Sequence, residues 1–145
     1  MAFKKIVVGY DGSVYANNAL KKAIEVAKCS EAEIYVVGVI KPLDFGLVDY
    51  ITPTELEEYE KEEISKEEKY LKEAIKIVEE SGLKASYKIL EGDPSEEIMT
   101  YADEVGADLI VVGNRGLGGF KRLLLGSTSS ELVKYAKQNV LVVKS

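Results

Sequence analysis

Short, nearly continuous apolar runs alternate along this chain with longer segments whose apolar residues recur every three or four positions. A run such as Ile6-Val7-Val8-Gly9-Tyr10 or Leu109-Ile110-Val111-Val112 has no polar face to offer to water. As a strand it must be covered on both sides. The helical-period segments between such runs supply the cover, and the alternation specifies an α/β fold.

The first strand, Ile6 to Tyr10, meets the turn Asp11-Gly12-Ser13 and then a helix carrying Ala16, Ala19, Leu20, Ala23, Ile24 and Ala27 on one face. Ile34 to Ile40 is a second buried strand, and Lys41 to Pro53 an irregular connection containing Pro42, Gly46 and Pro53. From Thr54 to Glu80 the chain is dense in Glu and Lys, yet Ile64, Leu71, Ala74, Ile75 and Val78 keep one apolar side, which predicts a long helix with a solvated outer face ending at Ser81-Gly82. Ala85 to Leu90 alternates apolar and polar residues, as a less covered strand does, and Lys88 would protect an edge. Asp93 is placed to cap a helix opening at Pro94, running through Ile98, Met99 and Ala102 and stopping near Gly106. Leu109 to Gly113 is the fourth strand, Glu131 to Lys137 lie in the last helix, and Val140 to Val143 form the last strand. Long helical connections favour parallel strands joined by right-handed crossovers.

With 145 residues, positions 1–145 are expected to form one domain whose core needs neither disulfide nor metal. Cys29 is the only cysteine and histidine is absent, which removes the commonest metal ligand and general base, so no metal site and no catalytic residue are expected. A net charge of -6 disfavours binding along nucleic-acid backbones. The start Met-Ala-Phe-Lys-Lys lacks the apolar core of a secretory signal, and no apolar run approaches a membrane span. A cytoplasmic protein away from membranes is the expectation.

The chemistry concentrates after the fourth strand. Gly113-Asn114-Arg115-Gly116 is followed by nine residues and then Gly126-Ser127, with Ser127-Thr128-Ser129-Ser130-Glu131 opening a helix. Strand, glycine loop and helix N-terminus is the order in which backbone N–H groups and a helix dipole are aimed at an anion. Both arginines of the chain, Arg115 and Arg122, lie in this segment. If the first and fourth strands are neighbours, Asp11 shares a crevice with the loop and can accept hydrogen bonds from a ribose hydroxyl or base amine, while Ser127 and Thr128 face phosphate. Each residue also has a plainer use: Gly113 can end a strand, Asp11 can form a turn, and Ser127 or Thr128 can cap the helix, the latter with Glu131 as a capping box. Arg115, Lys121 and Arg122 either close over a ligand or face water.

The spacing is neither Walker A nor the dinucleotide fingerprint, since no G-x-x-x-x-G-K-[ST] occurs and no G-x-G-x-x-G follows the first strand. G-x2-G-x9-G-[ST] instead resembles the ATP-binding signature of the universal stress protein family. The likeness extends over essentially the whole chain: Ile6 to Ser13 is similar to the family's opening strand and turn, Gly92-Asp93-Pro94 to its turn before the third helix, and Ala107 to Gly113 to its fourth strand. Gly118-Gly119-Phe120 and Leu124-Leu125-Gly126-Ser127-Thr128-Ser129 resemble the nucleotide-binding branch. The resemblance implies an open five-stranded parallel sheet of order 3-2-1-4-5 with helices on both faces. It places Asp11 and Val39 on the adenosine side, Val112 and Gly113 at the strand end, and Gly116, Gly126, Ser127 and Thr128 around the phosphates, with Arg115 in the loop between.

The resemblance further implies a homodimer through the last strand, although Asn139-Val140 stands where many relatives have proline. An apolar edge strand without Pro or charge is a liability unless paired, and pairing with its own copy is the simplest remedy. The expected function is ATP binding, with or without Mg2+, by a regulatory switch or sensor in a stress response, read by a protein partner the sequence does not name. The alternative is a slow ATP hydrolase of the related nucleotide α-hydrolase type. Against efficient catalysis stand the missing histidine, the missing Ser-Gly-Gly loop after the first strand, and the lack of a second acidic residue near Asp11 in the sequence.

Overall fold

A computed structural model describes residues 3–42, 50–115 and 126–144 of the chain. Strand β1 (Lys5–Gly9) leads through helix α1 (Val14–Lys28) to β2 (Glu33–Ile40), and α2 (Pro53–Glu80) connects β2 to β3 (Ala85–Glu91). Helix α3 (Pro94–Val105), β4 (Leu109–Gly113), α4 (Ser127–Tyr135) and β5 (Asn139–Val143) complete the order. The sheet is parallel throughout, in the order β3-β2-β1-β4-β5.

The registers Ile6↔Leu109, Val7↔Ile110 and Val8↔Val111 make β1 and β4 direct neighbours. That condition decides whether the two expected site loops share an edge, and it is met. The chain winds outward from β1 through β2 to β3, then crosses back to β4, so the order reverses direction between β1 and β4. Side chains alternate across this sheet. Ile6, Val8 and Tyr10 pack with α1 and with Leu71, Ala74 and Val78 of α2, whereas Val7 packs on the other face with Ile98 and Ala102 of α3 and Leu132 of α4. Ile6, Leu20, Ile34, Leu71, Ile110 and Leu132 are fully buried, each contributing about 1.5–3 kcal/mol from its removal from water.

Local chemistry sets the boundaries. Ser13 accepts a hydrogen bond from the Ala16 amide at 3.1 Å and starts α1. Asp93 accepts from the Glu96 amide at 3.2 Å with Pro94 in the first turn, and Gly106, at φ 71°, ends α3 in the left-handed conformation that favours glycine. Lys88 is exposed on β3, which pairs only with β2, as an edge strand should.

Two expectations for the helices are corrected. Ile64 is not on the covered side of α2 but 46% exposed, because the inward positions of this part of the helix fall to the half-buried Glu63 and Glu67. Helix α4 begins at Ser127 and ends at Tyr135, so Lys137 lies beyond it.

Candidate functional site

The carboxyl ends of β1, β2 and β4 bring Asp11, Val39, Val112 and Gly113 to one edge of the sheet, and the start of α4 adds Gly126, Ser127 and Thr128. Gly116, the rest of the loop through Leu125, and with it Lys121 and Arg122, lie outside the described residues. In an open parallel sheet this edge, at the reversal of strand order, is where ligands sit.

Asp11 Oδ1 accepts the Ser13 amide at 3.0 Å, which folds the chain into the turn before α1. Gly12, at φ 81°, lets that turn pass against the Tyr70 ring, which a Cβ would approach at 3.0 Å. Gly113 has a structural reason of its own. A Cβ there would lie 2.9 Å from the Tyr15 carbonyl oxygen, so the end of β4 and the first turn of α1 are in direct contact. Val39 and Val112 pack on the α3 and α4 side of the sheet.

The loop after β4 is closed at its base. The Asn114 amide donates to Val143 of β5 at 3.0 Å, while the Asn114 carbonyl accepts the Gly126 amide at 2.6 Å. The chain therefore leaves and re-enters at one point. Because Gly126 has spent its N–H on Asn114, the donors the start of α4 can aim at an anion are the first-turn amides of Ser127, Thr128 and Ser129, for which the helix itself offers no acceptor.

The capping expectation fails here. The N-cap of α4 is Gly126, extended at φ -72° and ψ 167°, and no side chain caps the helix. Ser127 and Thr128 are already helical, and Glu131 turns away to contact the hydroxyl of Ser95 at the start of α3. Ser129 Oγ instead donates to the Gly126 carbonyl at 3.0 Å. Ser127 is thus left exposed, with Thr128 and Arg115 half-buried nearby in the chain.

Three further residues of the site were not singled out from the sequence. Asn114 is buried, and its Oδ1 finds no hydrogen-bond partner among the described residues. Glu67 reaches from α2 to Gly38 of β2, where its Oε2 is shielded from water without a partner. Burial, then the negative charges of Asp11 and Glu63, push its carboxyl up to about 7 against the smaller opposing effect of Lys66. Folding thus brings Glu67, from a helix distant in sequence, within electrostatic reach of Asp11. The third residue, Tyr70, covers the Gly12 turn. The signal for Glu67 was a charged residue four positions before Leu71, on the inward stripe of α2.

The model of the universal stress protein family matches residues 2–144. The chain belongs to the universal stress protein family. A universal stress protein of Methanocaldococcus jannaschii is 41% identical over 145 residues, covering 98% of this chain and 82% of that one. A crystal structure of a universal stress protein in complex with cAMP superposes with a TM-score of 0.72 at 28% identity, covering 99% of this chain and 98% of that one. The Archaeoglobus fulgidus universal stress protein in complex with dAMP gives a TM-score of 0.73 at 25% identity, covering 99% of this chain and 100% of its own. The superpositions show that this universal stress protein shares the fold of the two solved structures, and no helix among its described residues is long and apolar enough to cross a membrane.

Proposed function

We propose that this universal stress protein binds ATP in the crevice at the carboxyl edge of β1, β2 and β4 and serves as a nucleotide-dependent regulatory switch. The observation that carries this reading is the adjacency of β1 and β4, which sets Asp11 and the two ends of the glycine segment at one reversal of strand order. Relatives of the same fold bound to cAMP and dAMP support an adenine nucleotide as the ligand class.

In this reading Asp11 accepts a hydrogen bond from the nucleoside, and Val39 and Val112 line its apolar side. The first-turn amides of Ser127 and Thr128, with the N-terminal end of the α4 dipole, face phosphate, joined by Gly113, Arg115 and Gly116 of the loop, while Gly126, its own amide taken by Asn114, lines the site by lacking a side chain. Mg2+ would be held by phosphate oxygens and water, since no group of three metal-binding side chains occurs among the described residues. Nucleotide ordering the loop changes a surface that a partner protein reads, and the protein works in the cytoplasm as a homodimer paired through Val140 to Val143.

Calorimetry with Mg-ATP tests the core of this. Binding is expected, and Asp11→Asn, which keeps an acceptor for the Ser13 amide, should weaken it about tenfold or more, the worth of a hydrogen bond to a charged group. Gly113 is a poor place to test the site, because a side chain there collides with Tyr15 whether or not nucleotide binds. Purified protein that binds no adenine nucleotide, and releases none on denaturation, would overturn the reading. A single-turnover rate near the roughly 10 s⁻¹ of ordinary enzymes would favour the hydrolase instead.

A further inference from the structure

Glu67 occupies a position where the pattern of α2 calls for an apolar side chain. Leu71, Ala74 and Val78 of this helix are fully buried against the sheet, and Glu67 continues their stripe one turn earlier. Space for it exists because β2 has glycine opposite. A Cβ at Gly38 would collide with Glu67 Oε2. The carboxyl group thus lies between α2 and the end of β2, with one oxygen shielded and without a partner among the described residues, and Tyr70, one turn on along α2, packs on Gly12 and so brings this face of the helix to the turn that carries Asp11.

We propose that Glu67 is a proton-linked wall of the nucleotide crevice, carrying a proton when nucleotide is bound, so that occupancy of the site and protonation of this carboxyl rise together. This rests on the nucleotide reading above and adds its regulation. Among the described residues, the charged groups acting on Glu67 are Asp11 from the turn after β1 and Glu63 and Lys66 from α2 itself, while Gly38 of β2 brings none. The two carboxylates outnumber the one ammonium. An ionised Glu67 is accordingly disfavoured before any ligand arrives, and it titrates at about 7. A nucleotide filling the crevice displaces water from the part of Glu67 that is still solvated and adds negative charge, and both effects favour the neutral acid.

The sign follows from linkage. If the bound form holds its proton more tightly than the free form, affinity is constant while both are protonated and falls as pH rises through the free value of about 7. One proton limits the slope to about tenfold per pH unit.

The experiment is calorimetry of Mg-ATP binding from about pH 6 to about pH 9, on the wild-type chain and on Glu67→Gln, a neutral isostere of the protonated acid. The ratio of wild-type to variant affinity cancels the nucleotide's own ionisation. It is expected to fall several-fold above pH 7 and to level off at the acid end. A ratio independent of pH, with both proteins binding, overturns the role of Glu67 and leaves the nucleotide reading intact. Failure of both to bind at any pH overturns both. If the variant does not fold, wild-type titrations at about pH 7.5 in two buffers of different ionisation enthalpy count the protons directly. Uptake of a fraction of a proton is expected, and none would overturn the proposal.

Discussion

A single side chain shows how the site and the stability of this fold are joined. Glu67 titrates near 4.5 in an unfolded chain and at about 7 in the folded one, so between those values the native state holds the more protons. Its contribution to stability is therefore fully present below the unfolded value and is lost as pH rises through the folded one. Glu67→Gln removes the titration. In urea denaturation it is expected to be more stable than wild type at about pH 8, by on the order of 1 kcal/mol once the half-exposure of the group is discounted, and to gain nothing at about pH 4. Residues whose task is local were legible at this scale: Asp93 before Pro94 announces a cap by residue type and spacing. Asn114 and Glu67 were not, because their burial depends on segments far away in sequence: β5 and the start of α4 meet the backbone of Asn114, and Gly38 of β2 lies against Glu67. Nothing within a few residues of Glu67 reveals that Gly38 lies opposite.

At the scale of elements the strands and most helix ends followed from periodicity and capping chemistry. Helix α3 is the clearest case. The Ser95 hydroxyl and then the Glu96 amide hold the Asp93 carboxyl below its usual range, so its acceptor is charged at neutral pH. Asp93→Ala should cost about 1 kcal/mol, seen as a lower urea midpoint with an unchanged slope. The start of α4 went the other way. Its Ser-Thr-Ser-Ser-Glu sequence reads as a capped terminus, yet the tie between the Gly126 amide and the Asn114 carbonyl moves the helix start forward and leaves Ser127 and Thr128 inside the first turn. A long-range backbone hydrogen bond overrode local side-chain preference. A similar limit applies to α2, whose 28 residues span about 42 Å: its buried positions, Leu71, Ala74 and Val78, all lie in the C-terminal half, so the apolar Ile64 of the first half is left exposed.

At the scale of the molecule, β5 leaves one edge of the sheet open for pairing, with Asn139-Val140-Leu141-Val142-Val143 carrying neither Pro nor charge. Sedimentation at micromolar concentration is expected to show a dimer, and a monomer unaffected by ATP would count against pairing through this strand. By itself the sequence determined the alternation of buried strands and amphipathic helices and, through the spacing from Gly113 to Gly126-Ser127, the family and the side of the fold on which to look. Those are properties of period and residue type, which each stretch of chain carries alone. Only the tertiary structure decided that Glu67 stands within electrostatic reach of Asp11 and that Gly126 spends its amide on Asn114. Only it showed that Gly113 is needed for packing against Tyr15. Each of these depends on which strands become neighbours, and the burial of a charge or the loss of a donor arises when distant segments meet.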